Sequence, residues 1–340
     1  MYEDLKKTKL IVDLLRQTSN LQVVREFLKA KGVASSGNWD DIFSKRIEPA
    51  VAAYKITNAD LIALLRSVEE CGRQHIFLYT CPSSQAIELM ERHRISGILK
   101  KRGQVDLLTH PRVLDQPQIP ELADVRWDTA DVDISVTIKE IESREFHYFI
   151  GTELHDGNIH KVYGRQFQRA VNVAKLHRDG LLEIRLASLA NTSKYEAAIR
   201  RFWKQINDLI PLDGFTELSL SPAKDRLWVE RVPLAKLIRY SDSTVRDDAG
   251  NVLRAAAGSD KDDLNHKVAV GQSLDFLLQT DKNAYCEGAN IWFKKADGLS
   301  AESHVLLNGD SNEFALPANC SEADYNYVLS QLRYFNRRVP

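Results

Sequence analysis

Along residues 1 to about 105 the apolar positions recur every three to four residues, the spacing of one helix face. Asn20 is placed to cap a helix that carries Leu21, Val24, Phe27 and Leu28 on one side and stops at Gly32. Asn38 opens a second, with Asp40 and Asp41 in its first turn and Trp39, Ile42 and Phe43 turned inward. Thr57-x-x-Asp60 reads as a capping box before Leu61, Leu64, Leu65 and Val68, with Gly72 as the stop. His75 to Tyr79 fits a short strand or a further helical turn. Pro82-Ser83-Ser84 then restarts a helix that runs to about Arg94. Residues 101–130 hold Pro111, Pro117 and Pro120 and little periodicity, which predicts a linker without regular structure.

Beyond that stretch the period changes from 3.6 to 2. Val132, Ile134, Val136 and Ile138 alternate with polar residues as in a half-buried strand. Residues 145–154 are its expected partner, with His155-Asp156-Gly157-Asn158 as a turn. Residues 164–178 read as a helix, and Leu182, Ile184 and Leu186 alternate again. Ser193-x-x-Glu196 looks like another capping box, before a helix burying Ile199, Phe202, Trp203 and Ile206. A hairpin is expected from 216–220 and 227–232, a mobile polar loop over 241–266, and a last helix opened by Ser321-x-x-Asp324. The expected fold class is therefore α+β: a helical domain at 1–105, a linker at 106–130, and a larger mixed α/β domain with an antiparallel sheet at 131–340.

The net charge of −1 excludes a protein that is basic all over, but it conceals segregation. Between 161 and 204 ten basic residues face three acidic ones; between 115 and 156 eleven acidic residues face three basic ones. Arg165, Arg169, Lys175, Arg178, Arg200, Arg201 and Lys204 are thus candidates for phosphate contact, Arg165 and Arg169 on one helical face. The opposing reading pairs these cations with the acidic strands beside them. Lys6, Lys7, Lys29, Lys31, Lys45 and Arg46 form a second candidate group, because helix ends next to a turn bring cations and backbone N–H groups together on phosphates.

The stretch Phe27-Leu28-Lys29-Ala30-Lys31-Gly32-Val33, followed by Ser36-Gly37 and Trp39-Asp40-Asp41-Ile42, resembles a SAP motif within 21–47. That motif is a DNA-binding helix, a glycine-containing turn and a second helix. A longer succession is similar to the centromere protein N family. It comprises Lys6-Lys7, a leucine-rich helix, Ser44-Lys45-Arg46, Ile56-Thr57-x-Ala59-x-Leu61 and a β-then-α run ending in Gln168-Arg169-Ala170-Val171. This resemblance implies a pyrin-like, death-fold helical domain followed by an α/β domain, and contact with DNA and nucleosomes through basic residues of the helical part. Lys6, Lys7, Lys45 and Arg46 occupy the matching positions; the resemblance does not extend to residues 235–340.

No Gly-rich phosphate loop, G-x-S-x-G elbow or HExxH is present. Glu230-Arg231 lacks the lysine of an acid-x-Lys nuclease strand, and Asp131 and Asp133 have no clear partner. His155, Asp156 and His160, or Cys71, His75 and Cys81, have loose metal-ligand spacing, but turn and core roles explain them better. Phe167, Phe202, Trp203, Trp228 and Trp292 read as core. The expectation is a non-catalytic nucleic-acid-binding protein without metal or cofactor, acting on double-stranded DNA, with a possible protein partner through the α/β domain. A protein-interaction adaptor and a metal-dependent nuclease are the rivals. Four scattered cysteines, the polar start Met1-Tyr2-Glu3-Asp4 without an apolar run after it, and the absence of a span-length apolar stretch suggest an intracellular setting, cytoplasmic or chromatin- or nucleoid-associated, away from membrane.

Overall fold

The structure is a computed structural model, and it describes residues 2–129, 134–189, 195–259, 261–266 and 268–337. The fold is α+β, and among the described residues the strand pairings with a defined register are antiparallel. The chain forms two compact units, one of residues 1–65 and 81–214, the other of 66–80 and 215–340.

The first unit opens with helices. α1 (Tyr2–Thr18) buries Ile11, Leu14 and Leu15 at adjacent turns. α2 (Leu21–Ala30) is capped by Asn20, whose side chain accepts from the Val23 N–H, and it buries Val24 and Leu28. α3 (Trp39–Ile42), capped by Asn38, does not end at Phe43. It passes through a π turn (Phe43–Ile47) into α4 (Glu48–Ala52), so the SAP-like second helix is longer and locally widened. α5 (Asn58–Glu69) starts on the predicted box: the Thr57 N–H donates to Asp60 at 2.8 Å, and the Asp60 N–H to the Thr57 hydroxyl at 3.1 Å. β1 (Gly72–Thr80) belongs to the second unit, and the first resumes with α6 (Ser83–Leu89) and α7 (Arg92–Lys101).

Three sequence expectations fail here, the first being that residues 145–154 pair with the strand that starts at Ile134: they continue it, and its partner is the segment 158–177. The supposed linker contains a 3-10 turn (Val105–Leu108) and β2 (Glu121–Thr129). The prolines stop at Pro120, and Val125 and Trp127 then alternate with Asp124, Arg126 and Asp128, which is strand periodicity. Residues 164–178 are strand rather than helix. β3 (Ile134–His155) and β4 (Asn158–His177) form one long hairpin, and β5 (Leu181–Ala187) completes the meander β2-β3-β4-β5. A basic residue every fourth position marks one face of a strand as well as of a helix, so Arg165 and Arg169 carry no helical signature. The hairpin turn is as expected: Asp156 and Gly157 take positive φ (50° and 77°), the Asp-Gly chemistry of a two-residue turn. α8 (Tyr195–Ile206) buries Ile199, Phe202, Trp203 and Ile206; Ser193 of its predicted cap, like Asp131 and Asp133, lies outside the described residues.

The second unit is a sheet ordered β6 (Thr216–Glu217), β1, β11 (Glu313–Asn319), β10 (Ser303–Leu306), β9 (Tyr285–Phe293), β7 (Ile238–Arg246), β8 (Val252–Ala256). The expected second hairpin is instead α9 (Ser221–Val229) and α10 (Arg231–Leu234). Pro222 in the first turn, with Ala223, Leu227 and Trp228 buried, is a helix-start pattern. The supposed loop 241–266 contains most of β7 and all of β8. Their polar residues are held by the ladder and by ion pairs such as Arg254–Asp242 at 2.7 Å. α11 (Val268–Thr280) and α12 (Glu322–Asn336) complete the unit, and α12 is capped by Ser321 as the sequence indicates.

Candidate nucleic-acid interface

The candidate cations divide into those held by the fold and those presented by it. In the helical segment Lys6, Lys7 and Lys29 are exposed, and neither Lys7 nor Lys29 forms an ion pair among the described residues. Lys31 contacts Asp60 at 2.7 Å, and this ammonium, with the Thr57 amide and hydroxyl, brings the Asp60 carboxyl down to about 2. Lys45 sits one turn from Asp41 at 2.7 Å and lowers its pKa. Arg46 donates over 3.4–3.5 Å to the Ser36 hydroxyl and carbonyl. Of the group expected on phosphates, Lys31, Lys45 and Arg46 therefore fix local structure first.

The second group is not on paired helices. Arg165, Arg169 and Lys175 lie along β4, Arg178 just after it, and Arg200, Arg201 and Lys204 on α8. Arg201 straddles the buried Glu140 carboxylate at 2.8 and 3.0 Å and reaches Glu142 at 2.8 Å. Asn172 donates to both carboxylates (2.8 and 3.0 Å), and Arg144 adds a bond to Glu142 at 2.6 Å. Burial pushes the Glu140 pKa up, and the Arg201 hydrogen bond acts against it. Lys175 faces Asp128 at 3.8 Å, and Arg126 lies between Asp124 (2.6 Å) and Asp128 (2.9 Å). Arg169 donates to the Leu114 carbonyl at 2.7 Å, and Arg200 pairs with Glu196 one turn away. The segregated charge of the sequence is in large part neutralised within the strands of the meander and between them and α8.

What the fold presents is the outer half of the β3–β4 hairpin. In β3 the pattern changes from buried, over Ser135–Glu142, to exposed from Glu145 onward, and in β4 the exposed part runs to Gln168. From Phe146 to His155 this ribbon is ten residues long, about 30 Å at strand rise. Cross-strand partners share a face. One face carries Glu145 opposite Phe167, His147 opposite Arg165, Phe149 opposite Tyr163, Thr152 opposite Lys161, and Leu154 opposite Ile159. The register breaks between Phe149 and Gly151, so Ile150 is an extra, bulged residue and the parity of that face changes along β3. Phe149, Tyr163 and Phe167 are 56%, 52% and 53% exposed, and Phe149 and Tyr163 meet edge to face at 6.0 Å. On the other face the Tyr148 ring lies over Gly164, where an added Cβ would come within 2.6 Å of it. Gln116 braces the ribbon base by donating to the Phe167 carbonyl at 3.2 Å.

Phe167 was expected in the core with Phe202, Trp203, Trp228 and Trp292. The last four are buried or half-buried, whereas Phe167 is on the ribbon, because strand pairing with Glu145 carries it past the sheet. Sequence reasoning also passed over the ribbon aromatics and the basic helix α7, which contains no acidic residue and exposes Lys100 and Lys101. Its successor Arg102 donates to the Gln205 carbonyl at 2.8 Å, next in the chain to exposed Lys204. The runs Arg92-His93-Arg94 and Lys100-Lys101-Arg102 were the available signal. Among the described residues no group of three His, Cys, Asp or Glu side chains is arranged to hold a metal. His155 and His160 are edge-to-face rings 6.1 Å apart at the ribbon tip, and His75 is bonded to Glu313. Two nucleophile types are buried in the second unit. Lys224 donates to the Glu287 carbonyl at 2.9 Å and burial lowers its pKa; burial raises the Cys286 thiol to about 11. Neither is poised for attack. No protein-family model matches the chain, and no curated protein is significantly similar to it.

Proposed function

We propose that this is a non-catalytic nucleic-acid-binding protein that contacts the phosphate backbone through exposed cations. The observation that carries the reading is the sorting of cations. The fold ties Arg201, Arg169 and Lys175 to its own carboxylates and carbonyls, yet exposes Lys7 and Lys29 on the helices, Lys204 on α8 and Lys161 on a projecting ribbon, where Arg165, though 3.3 Å from Glu145, is exposed as well. The SAP-like and centromere protein N-like features of the first helices agree with it. Affinity would come from counterion release and carry little sequence preference.

A protein partner is the second reading, favoured by the apolar side chains the ribbon exposes on both faces, which exceed what a solvated hairpin needs. The deciding experiment is anisotropy of labelled oligonucleotides across a salt series, with Lys7→Glu/Lys29→Glu and Lys161→Glu/Arg165→Glu beside wild type. Nucleic-acid binding gives a log–log slope near −0.7 to −0.9 per phosphate contact, which the variants flatten. Absence of binding at low salt refutes it and leaves the protein partner.

A further inference from the structure

We propose that the ribbon face bearing Phe149, Tyr163 and Phe167 binds single-stranded nucleic acid, with bases stacked on those rings and phosphates on Lys161 and Arg165. This rests on the nucleic-acid reading above and narrows it from the duplex expected from sequence. Residues two apart on a strand share a face, so successive levels of this face are about 7 Å apart. From base to tip those levels run ring (Phe167), cation (Arg165, with His147 opposite), ring pair (Phe149 and Tyr163), cation (Lys161) and aliphatic (Leu154 and Ile159). The three rings are each more than half exposed. Rings that alternate with cations on an open sheet surface are what an unpaired strand can use, because each nucleotide offers a π face and a phosphate.

A duplex fits this surface poorly. Its bases are already stacked on one another, and only their edges are reachable in the grooves. It also carries one charge per about 1.7 Å of axis. Against this the ribbon sets Lys161 and Arg165, with Glu145 lying 3.3 Å from Arg165 on the same face, and Glu153 and Asp156 near the tip. So little net positive charge suits one strand held partly by stacking, not two held by phosphates alone.

The test uses the full chain with a labelled oligothymidylate and a duplex of equal length. The variants are Phe149→Ala/Tyr163→Ala, Lys161→Ala/Arg165→Ala and, on the opposite face, Phe146→Ala. All five side chains are exposed, and circular dichroism with a melting curve verifies that each variant folds. The expected result is single-strand binding at least about 10-fold tighter than duplex, with the ring variant weakened about 30-fold or more at unchanged salt slope. The cation variant should lower the single-strand slope by about 1.4, and Phe146→Ala should bind as wild type. Duplex bound as tightly as single strand overturns the proposal. So does a ring variant within about 2-fold of wild type, or one that converts a dimer to a monomer in light scattering, since the face is then filled by a second copy. If oligonucleotides bind with a steep salt slope indifferent to the rings, the nucleic-acid reading survives and this proposal falls; if none binds at low salt, both fall.

Discussion

Single residues carry much of the constraint in the first unit. Gly180, in the turn between β4 and β5, has φ +95°, and a Cβ there would lie 2.0 Å from the Cys81 carbonyl oxygen. The obstacle is backbone, and Cys81 is itself hydrogen-bonded to the Gly180 carbonyl at 3.0 Å, so neither side can give way. Gly180→Ala should therefore cost about 2–4 kcal/mol, read as a lower urea midpoint at unchanged slope. Arg201 is equally committed. Removing its guanidinium leaves Glu140 and Glu142 facing each other with Asn172 and Arg144 as remaining partners. Arg201→Met should destabilise by about 3–5 kcal/mol at neutral pH. Part of that loss should be recovered on mild acidification, because Glu140, whose pKa burial already raises, then takes up a proton. A guanidinium needed for phosphates alone would leave the melting curve in place when lost.

At the scale of elements, the N-terminus of α5 links local sequence to a pH response. Asp60 is held at about 2, below its ordinary 3.8, first by Lys31 and then by Thr57. A carboxyl whose folded pKa is depressed contributes stability above its unfolded pKa and loses it as pH falls through the folded one. This contribution should therefore disappear between about pH 4 and pH 2, and Asp60→Asn should flatten that part of an acid-stability curve. Thr57→Ala should cost about 1 kcal/mol by removing the reciprocal bond. This element was legible from four residues because capping is local. The β3–β4 hairpin was legible only at its Asp-Gly turn. Its length was not, because the ribbon section mixes polar and apolar residues on both faces, and the extra residue at Ile150 breaks the alternation a reader would follow. For α9 a helix-start signal was present in Ser221-Pro222, but it was outweighed by flanking segments that alternate like strands.

For the whole molecule, the ribbon is the feature separable from folding. Its outer half lies beyond the apolar cluster of Ala123, Ile141, Val171 and Val173, which anchors its base with Leu114 against it. Replacing residues 147–165 by a two-residue Asn-Gly turn should leave the melting temperature within about 5 °C of wild type while removing the oligonucleotide binding assigned to that face. A drop well beyond that would mean the ribbon is part of the core and not an arm. The sequence by itself determined the α+β class, the helical start with its caps at Asn20, Asn38 and Thr57, the last helix, and the presence of two opposed charge blocks. Those properties depend on side-chain periodicity and on hydrogen bonds spanning three or four residues. Only the tertiary structure decided which cations are available. Whether Arg201 or Lys161 meets solvent depends on strand register and on which carboxylate lies opposite, sixty-one positions away for the Arg201–Glu140 pair. Chain-local patterns carry no record of pairings at that distance, and so none of which rings the sheet leaves uncovered.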